Sequence, residues 1–126
     1  MRIILTRTAR TVVLATGFLF VPLGVWTLHA RSQEPRQITV KARKYQFEPA
    51  RIEVKTGEPV VITLVSEDGS HGFACKDLKL HSDTFKEGQP EKVTFTAGAP
   101  GTYEFKCAHV CGMGHHKMKG EIVVLP

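Results

Sequence analysis

From residue 37 onward, apolar and polar positions alternate with a period of two, not 3.6. Ile38, Val40 and Ala42 interleave with Thr39, Lys41 and Arg43, and Ile52 and Val54 with Glu53 and Lys55. That period turns one set of side chains toward a core and the other toward solvent, which predicts half-buried strands. Lys55-Thr56-Gly57-Glu58-Pro59 carries turn chemistry, and residues 60–65 form a near-continuous apolar run of β-branched type suited to an inner strand. Glu67-Asp68-Gly69-Ser70 reads as a loop, and His71-Gly72-Phe73-Ala74-Cys75 as a strand that follows it. Further strands are expected at 91–96, 102–106 and 119–125, separated by Gly98-Ala99-Pro100-Gly101 and by a cluster at 107–118. About seven short strands with turns roughly every eight to twelve residues predict an all-β fold, a small β-sandwich. No repeat and no helix of more than a turn or two is expected in this part.

The N-terminus breaks the pattern. Arg2, Arg7 and Arg10, with no acidic residue among them, precede the uncharged residues 11–30, a length close to the roughly 20 residues that span a bilayer core. The arginines set that end in the cytoplasm. Residues 1–30 are therefore expected to form one N-terminal transmembrane helix, a single-pass anchor in the cell membrane with the rest of the chain on the extracytoplasmic (periplasmic) side. The alternative is a signal peptide whose cleavage leaves a secreted protein, although Leu28-His29-Ala30 offers a small residue only at its last position. Residues 31–36 are polar, contain Pro35 and read as a tether to a domain at 37–126.

Charge changes the picture only once it is divided. The 126 residues bear a formal charge of +5, which alone suggests nucleic acid or anionic lipid. Three of the 17 basic side chains and none of the 12 acidic ones lie in residues 1–30, so the remainder stands at +2 and nucleic acid is not an expected partner. With 42% hydrophobic and 23% charged residues the chain is of globular type, too short for a multidomain enzyme. Three cysteines are too few, and odd in number, for a disulfide scaffold.

The chemistry is concentrated in Cys107-Ala108-His109-Val110-Cys111-Gly112-Met113-Gly114-His115-His116-Lys117-Met118, which packs thiols, imidazoles and thioethers between two strands. Soft sulfur donors suit Cu(I) and imidazole accepts Cu(II), so this set selects copper over magnesium, calcium or manganese, and a site that suits both oxidation states can pass electrons. Gly112 and Gly114 allow a tight backbone on which side chains four apart converge. One loop cannot enclose a metal alone, and His71, at the loop end of a neighbouring strand, is the candidate for the missing ligand. Other chemistries stay open. Cys107 and Cys111 could form a disulfide. Two cysteines and two histidines could hold a structural zinc, which leaves Met118 without a role. A mononuclear copper site could use His71, Cys111, His115 and Met118, which leaves Cys107 unexplained. Cys75 is expected to be a buried thiol and His81 to face solvent. Met113 is expected to be exposed near the site, with His116 on the same edge.

The run Cys107-x-x-x-Cys111-x-x-x-His115-x-x-Met118, with Ser70-His71-Gly72-Phe73 upstream, resembles the dinuclear copper A site of cytochrome c oxidase subunit II. The similarity covers about 40–126 and takes in Phe47-Glu48-Pro49, the Gly57 turn and Gly101-Thr102-Tyr103-Glu104-Phe105-Lys106-Cys107. The resemblance implies a cupredoxin Greek-key β-sandwich and two copper ions. In that scheme Cys107 and Cys111 bridge both coppers, and His71 and His115 each bind one through an imidazole nitrogen. Met118 is a weak thioether ligand and His109 contributes its backbone carbonyl. The implied function is electron transfer without catalysis of its own, with a redox partner such as a cytochrome or an oxidase subunit. A mononuclear cupredoxin, or an exported copper delivery or storage protein, is the alternative. Lys106, Lys117 and Lys119 make the surface of the loop basic.

Overall fold

The computed structural model describes residues 32–126, so the predicted anchor or signal segment lies outside the described residues. Strand β1 (Arg36–Arg43) opens the domain at the last residue of the predicted tether and keeps its alternation, with Val40 and Ala42 buried between exposed Lys41 and Arg43. It is followed by β2 (Gln46–Glu48), β3 (Arg51–Lys55) and β4 (Pro59–Ser66). Two-residue strands β5 (Ser70–His71), β6 (Ala74–Cys75), β7 (Leu80–His81) and β8 (Phe85–Lys86) come next. Then come β9 (Glu91–Thr96), β10 (Gly101–Lys106), a 3-10 turn at His115–Lys117 and β11 (Lys119–Leu125).

One sheet has the order β2-β1-β4-β9 and the other β3-β11-β10-β6-β7, while β5 and β8 pair as a separate ribbon. The inner position of β4 matches its apolar run. Only one of its faces is fully covered, however: Val60, Ile62, Leu64 and Ser66 are buried, and Val61, Thr63 and Val65 half-buried. β1 runs parallel to β4 and β3 parallel to β11, so each sheet mixes parallel and antiparallel pairs. The inner faces of both sheets meet in one core that includes Val40, Ile52, Val54, Ile62, Leu64, Ile122 and Val124. Residues 36–125 thus form an all-β sandwich, as the period-two pattern predicts.

The segment expected to be one strand over 71–75 is two. His71 belongs to the β5–β8 ribbon and Cys75 to the β6–β7 pair, so the two do not lie along one strand face. Between them, Phe73 donates its amide to Ser82 Oγ at 3.0 Å and accepts from the Ser82 amide at 2.9 Å, which ties the break to the segment after β7. The break turns Phe73 inward, where its ring lies tilted against Phe105 at 4.9 Å while Phe47 meets Phe105 edge-on at 5.2 Å. These rings are buried, and Phe105 leads through Lys106 into residues 107–118. Aromatic packing worth about 0.5–1.5 kcal/mol per pair beyond its area term thus gives that loop a stiff floor.

Candidate metal centre

β10 and β11 pair up to Lys106↔Lys119, so residues 107–118 span the end of a hairpin. The neck is closed by the Cys107 amide, which donates to the Met118 carbonyl at 3.0 Å. Inside the loop His115 donates its amide to Gly112 O (3.1 Å), Lys117 to Gly114 O (2.9 Å) and Met118 to His115 O (3.1 Å), which winds the 3-10 turn. Gly112 has φ +140°, a conformation rarely adopted by other residues, and a Cβ there would lie 2.6 Å from the Tyr45 hydroxyl. A Cβ on Gly114 would run into the same ring. Tyr45, from the turn between β1 and β2, therefore lies directly against the loop, a contact the sequence pattern did not indicate.

His71 reaches the loop from the β5–β8 ribbon. Gly72 permits the approach, since a Cβ there would sit 2.9 Å from the His109 amide nitrogen. The His71 ring is wholly buried, and its Nε2 lies 2.8 Å from the Asp68 carbonyl and 2.9 Å from Asp68 Oδ1. Both partners are acceptors at neutral pH, so Nε2 carries the proton and Nδ1 keeps its lone pair. Asp68 in turn accepts from the Lys44 amide at 3.0 and 2.9 Å. Partial burial would raise the Asp68 carboxyl, but the bonds from the Lys44 amide and the His71 ring outweigh it and hold the group below the usual aspartate range. Asp68 reads in the sequence only as part of a turn; its position three residues before a candidate ligand was the available signal.

The structure brings His71, Cys107 and Cys111 together, a ring nitrogen and two sulfurs within 4.8 Å of one another. The two sulfurs are 3.9 Å apart and both thiols are free, so they form no disulfide. Cys107 Sγ donates to the His109 carbonyl at 3.0 Å, and Cys111 Sγ lies 3.7 Å from Met118 Sδ. Met118 is fully buried, so its thioether faces the cluster from the inner side. His115 stands outside the 4.8 Å group, half-buried, where it lines a cavity of about 200 Å³ with Cys107, His116, Lys106, Lys119 and Glu104. Burial, followed by the neighbouring Cys107 thiol, pushes the Cys111 thiol up.

Cys75 is buried, and burial raises its thiol too. His81 and His116 are exposed, as expected, and Met113 entirely so. A depression of about 550 Å³ along Arg51, Glu104 and Glu121 is an open charged trough away from the cysteines.

Among the described residues, the buried side-chain nitrogen and oxygen atoms without a hydrogen-bond partner are His71 Nδ1 and His115 Nδ1. An unsatisfied buried polar atom costs about 1–3 kcal/mol, and here both belong to imidazoles flanking two unbridged thiols. Soft sulfur and imidazole donors with free lone pairs suit copper. The fit is therefore good.

The chain matches the cupredoxin-like domain family over residues 15–124. Cytochrome c oxidase subunit 2 of Thermus thermophilus is 35% identical over 92 residues, which are 71% of this chain and 67% of that protein. The same subunit from another strain of that species matches at 35% over 54% of its length, so the chain spans between about half and two thirds of these relatives. A heme-copper terminal oxidase dimer contains a chain 25% identical, superposing with a TM-score of 0.64 over 75% of this chain and 68% of its own. Auracyanin A, a blue copper protein of Chloroflexus aurantiacus, shares the fold at 19% identity, with a TM-score of 0.59 over 73% of this chain and 100% of its own.

Proposed function

The chain belongs to the cupredoxin-like domain family, and from that premise we propose that it is a copper-binding one-electron relay with a dinuclear centre, like the copper domain of cytochrome c oxidase subunit II. Two buried imidazole nitrogens without partners, beside two free thiols 3.9 Å apart, carry this proposal. Cys107 and Cys111 would bridge two ions, with His71 and His115 on one ion each. Met118 would add a weak thioether and His109 its backbone carbonyl. Bound copper would supply a one-electron couple, with the Cys107 and Cys111 thiolates holding it.

The chain's own residues keep the donors still. Asp68 holds the proton on His71 Nε2 and so leaves Nδ1 free to bind. Burial of His71, Cys107 and Met118 excludes water from the inner side of the site. Both thiols give up protons on metal binding, so copper uptake releases protons and weakens as pH falls. Residues 1–30 would tether the domain to the extracytoplasmic face of the cell membrane, with an oxidase subunit or a cytochrome as redox partner.

Copper titration of the metal-free chain, followed by metal analysis and by alkylation of the thiols, tests the proposal. Two coppers per chain with Cys107 and Cys111 both protected is the expected end point. A single-copper centre is the second reading, favoured by the position of His115 outside the close group of His71, Cys107 and Cys111. An end point of one copper would support it. Rapid, complete loss of copper to a chelator at neutral pH would point instead to delivery or storage.

A further inference from the structure

The end of the sandwich that carries the metal loop bears an unpartnered apolar patch. Among the described residues the exposed large hydrophobic side chains are Tyr45 (39%), Val110 (77%), Met113 (100%) and Leu125 (38%), and the first three lie in or against the metal loop. The Tyr45 ring lies against Gly112 and Gly114, the neighbours of Met113 on either side, which puts Tyr45 and Met113 at the same loop. Val110, exposed, precedes Cys111 in the same loop. Val110 and Met113 do not belong to the buried core, so core packing does not account for their being apolar. Exposed apolar patches with polar rims mark contact sites, and methionine suits them because it adapts to the partner's shape.

The rim gives the patch a sign. Lys44, Lys106 and Lys117 are exposed and make no ion pair among the described residues. His116 adds an exposed imidazole. The carboxylates near this end are mostly engaged. Asp68 accepts from the Lys44 amide and the His71 ring, Glu104 pairs with Lys119 at 3.1 Å, and Glu87 accepts from the Gly69 amide at 3.2 Å. Glu48 pairs with Arg43 at 3.6 Å, and Asp83 lines a cavity with His81 and His109. Asp77 and Glu104 line a cavity with Lys106, but Lys44, Lys106 and Lys117 form no ion pair among the described residues.

We propose that this face docks an acidic one-electron carrier protein, whose contact surface has an apolar centre ringed by carboxylates. Met113, Val110 and Tyr45 meet the apolar centre, and Lys44, Lys106 and Lys117 face the carboxylates. The inference rests on the one-electron function proposed above. One electron passes between carrier and copper centre, one being oxidised as the other is reduced, and no bond is made or broken. Such transient redox pairs use small interfaces, below about 1,200 Å², and opposite charges raise their encounter rate.

The test is stopped-flow electron exchange between the copper-loaded full-length chain and a c-type cytochrome, either native and basic or with its lysines succinylated. The succinylated form is expected to react about tenfold faster at low ionic strength, with an advantage that shrinks as salt is added. A K106E/K117E variant should favour the basic form instead, and V110S/M113S should slow both forms at every salt concentration. A faster basic form, or rates indifferent to charge and salt, overturns the proposal. So does binding of this face to anionic lipid vesicles, or pairing with a second copy, in preference to either cytochrome. Voltammetry at a bare electrode separates the two levels. A reversible one-electron wave without carrier preference overturns the docking face alone, whereas the absence of a wave overturns the proposed function with it.

Discussion

The two imidazoles proposed as ligands sit in opposite surroundings. His71 is wholly buried, and Asp68 holds its Nε2 through both a carbonyl and a carboxylate. His115 rides on a single 3-10 turn, half-buried beside a cavity of about 200 Å³ that it shares with His116 and Lys119. Its Nδ1 has no partner, and it stands apart from the close group of His71, Cys107 and Cys111. On the proposed ligand set, one half of the centre would be set by the fold before metal arrives, and the other would be completed by the metal. An inner ligand that is fixed and an outer one near the surface also suit a relay, since rigidity limits rearrangement on electron exchange and the exposed edge shortens the path out.

The largest expected effect removes what both halves share. Cys107→Ser or Cys111→Ser should weaken copper binding by more than about 100-fold, beyond the loss typical of an outer-shell change, as read by competition with a chelator. Next come the two histidines, whose difference is the comparison itself. In the metal-free chain His71→Ala should cost about 2 kcal/mol or more, by opening a buried cavity and stripping Asp68 of a partner, while His115→Ala should cost less than about 1 kcal/mol. Equal losses in urea denaturation would erase the distinction between the halves.

Asp68 tests how the buried half is set. Asp68→Ala should lower copper affinity about 10–100-fold without removing a ligand, because the His71 ring loses the acceptor that fixes its proton. The carboxyl is held below its usual range, so its contribution to stability is present above the unfolded value and disappears as pH falls through the folded one. The metal-free protein should therefore lose stability more steeply than Asp68→Asn from about pH 4 downward. A parallel pH dependence of the two would remove the Asp68–His71 bond from the account. The smallest effect belongs to the outer half. Tyr45→Ala should raise the rate of copper loss roughly a few-fold, by freeing the loop at Gly112 and Gly114, and Tyr45→Phe should restore most of it.

Much of the scaffold is legible in the sequence because a period of two reports which face is buried, and β1, β3 and β4 follow it residue by residue. The two-residue strands β5 to β8 are too short to carry a period. The break between His71 and Cys75 arises from distant partners, Ser82 and the 107–111 loop, which no local pattern encodes. The convergence of His71 with Cys107 and Cys111 is anticipated by donor chemistry and spacing, since few other residues in the domain could ligate a soft metal. Asp68 and Tyr45 escape that reasoning for a common reason. Each acts through a contact made only after folding, the carboxylate on a ring nitrogen and the ring on two glycines.

Electron paramagnetic resonance of the copper-loaded chain tests the central claim most directly. One unpaired electron with hyperfine coupling to two copper nuclei, at two coppers per chain, is the predicted result. A four-line spectrum from one copper would contradict the dinuclear centre.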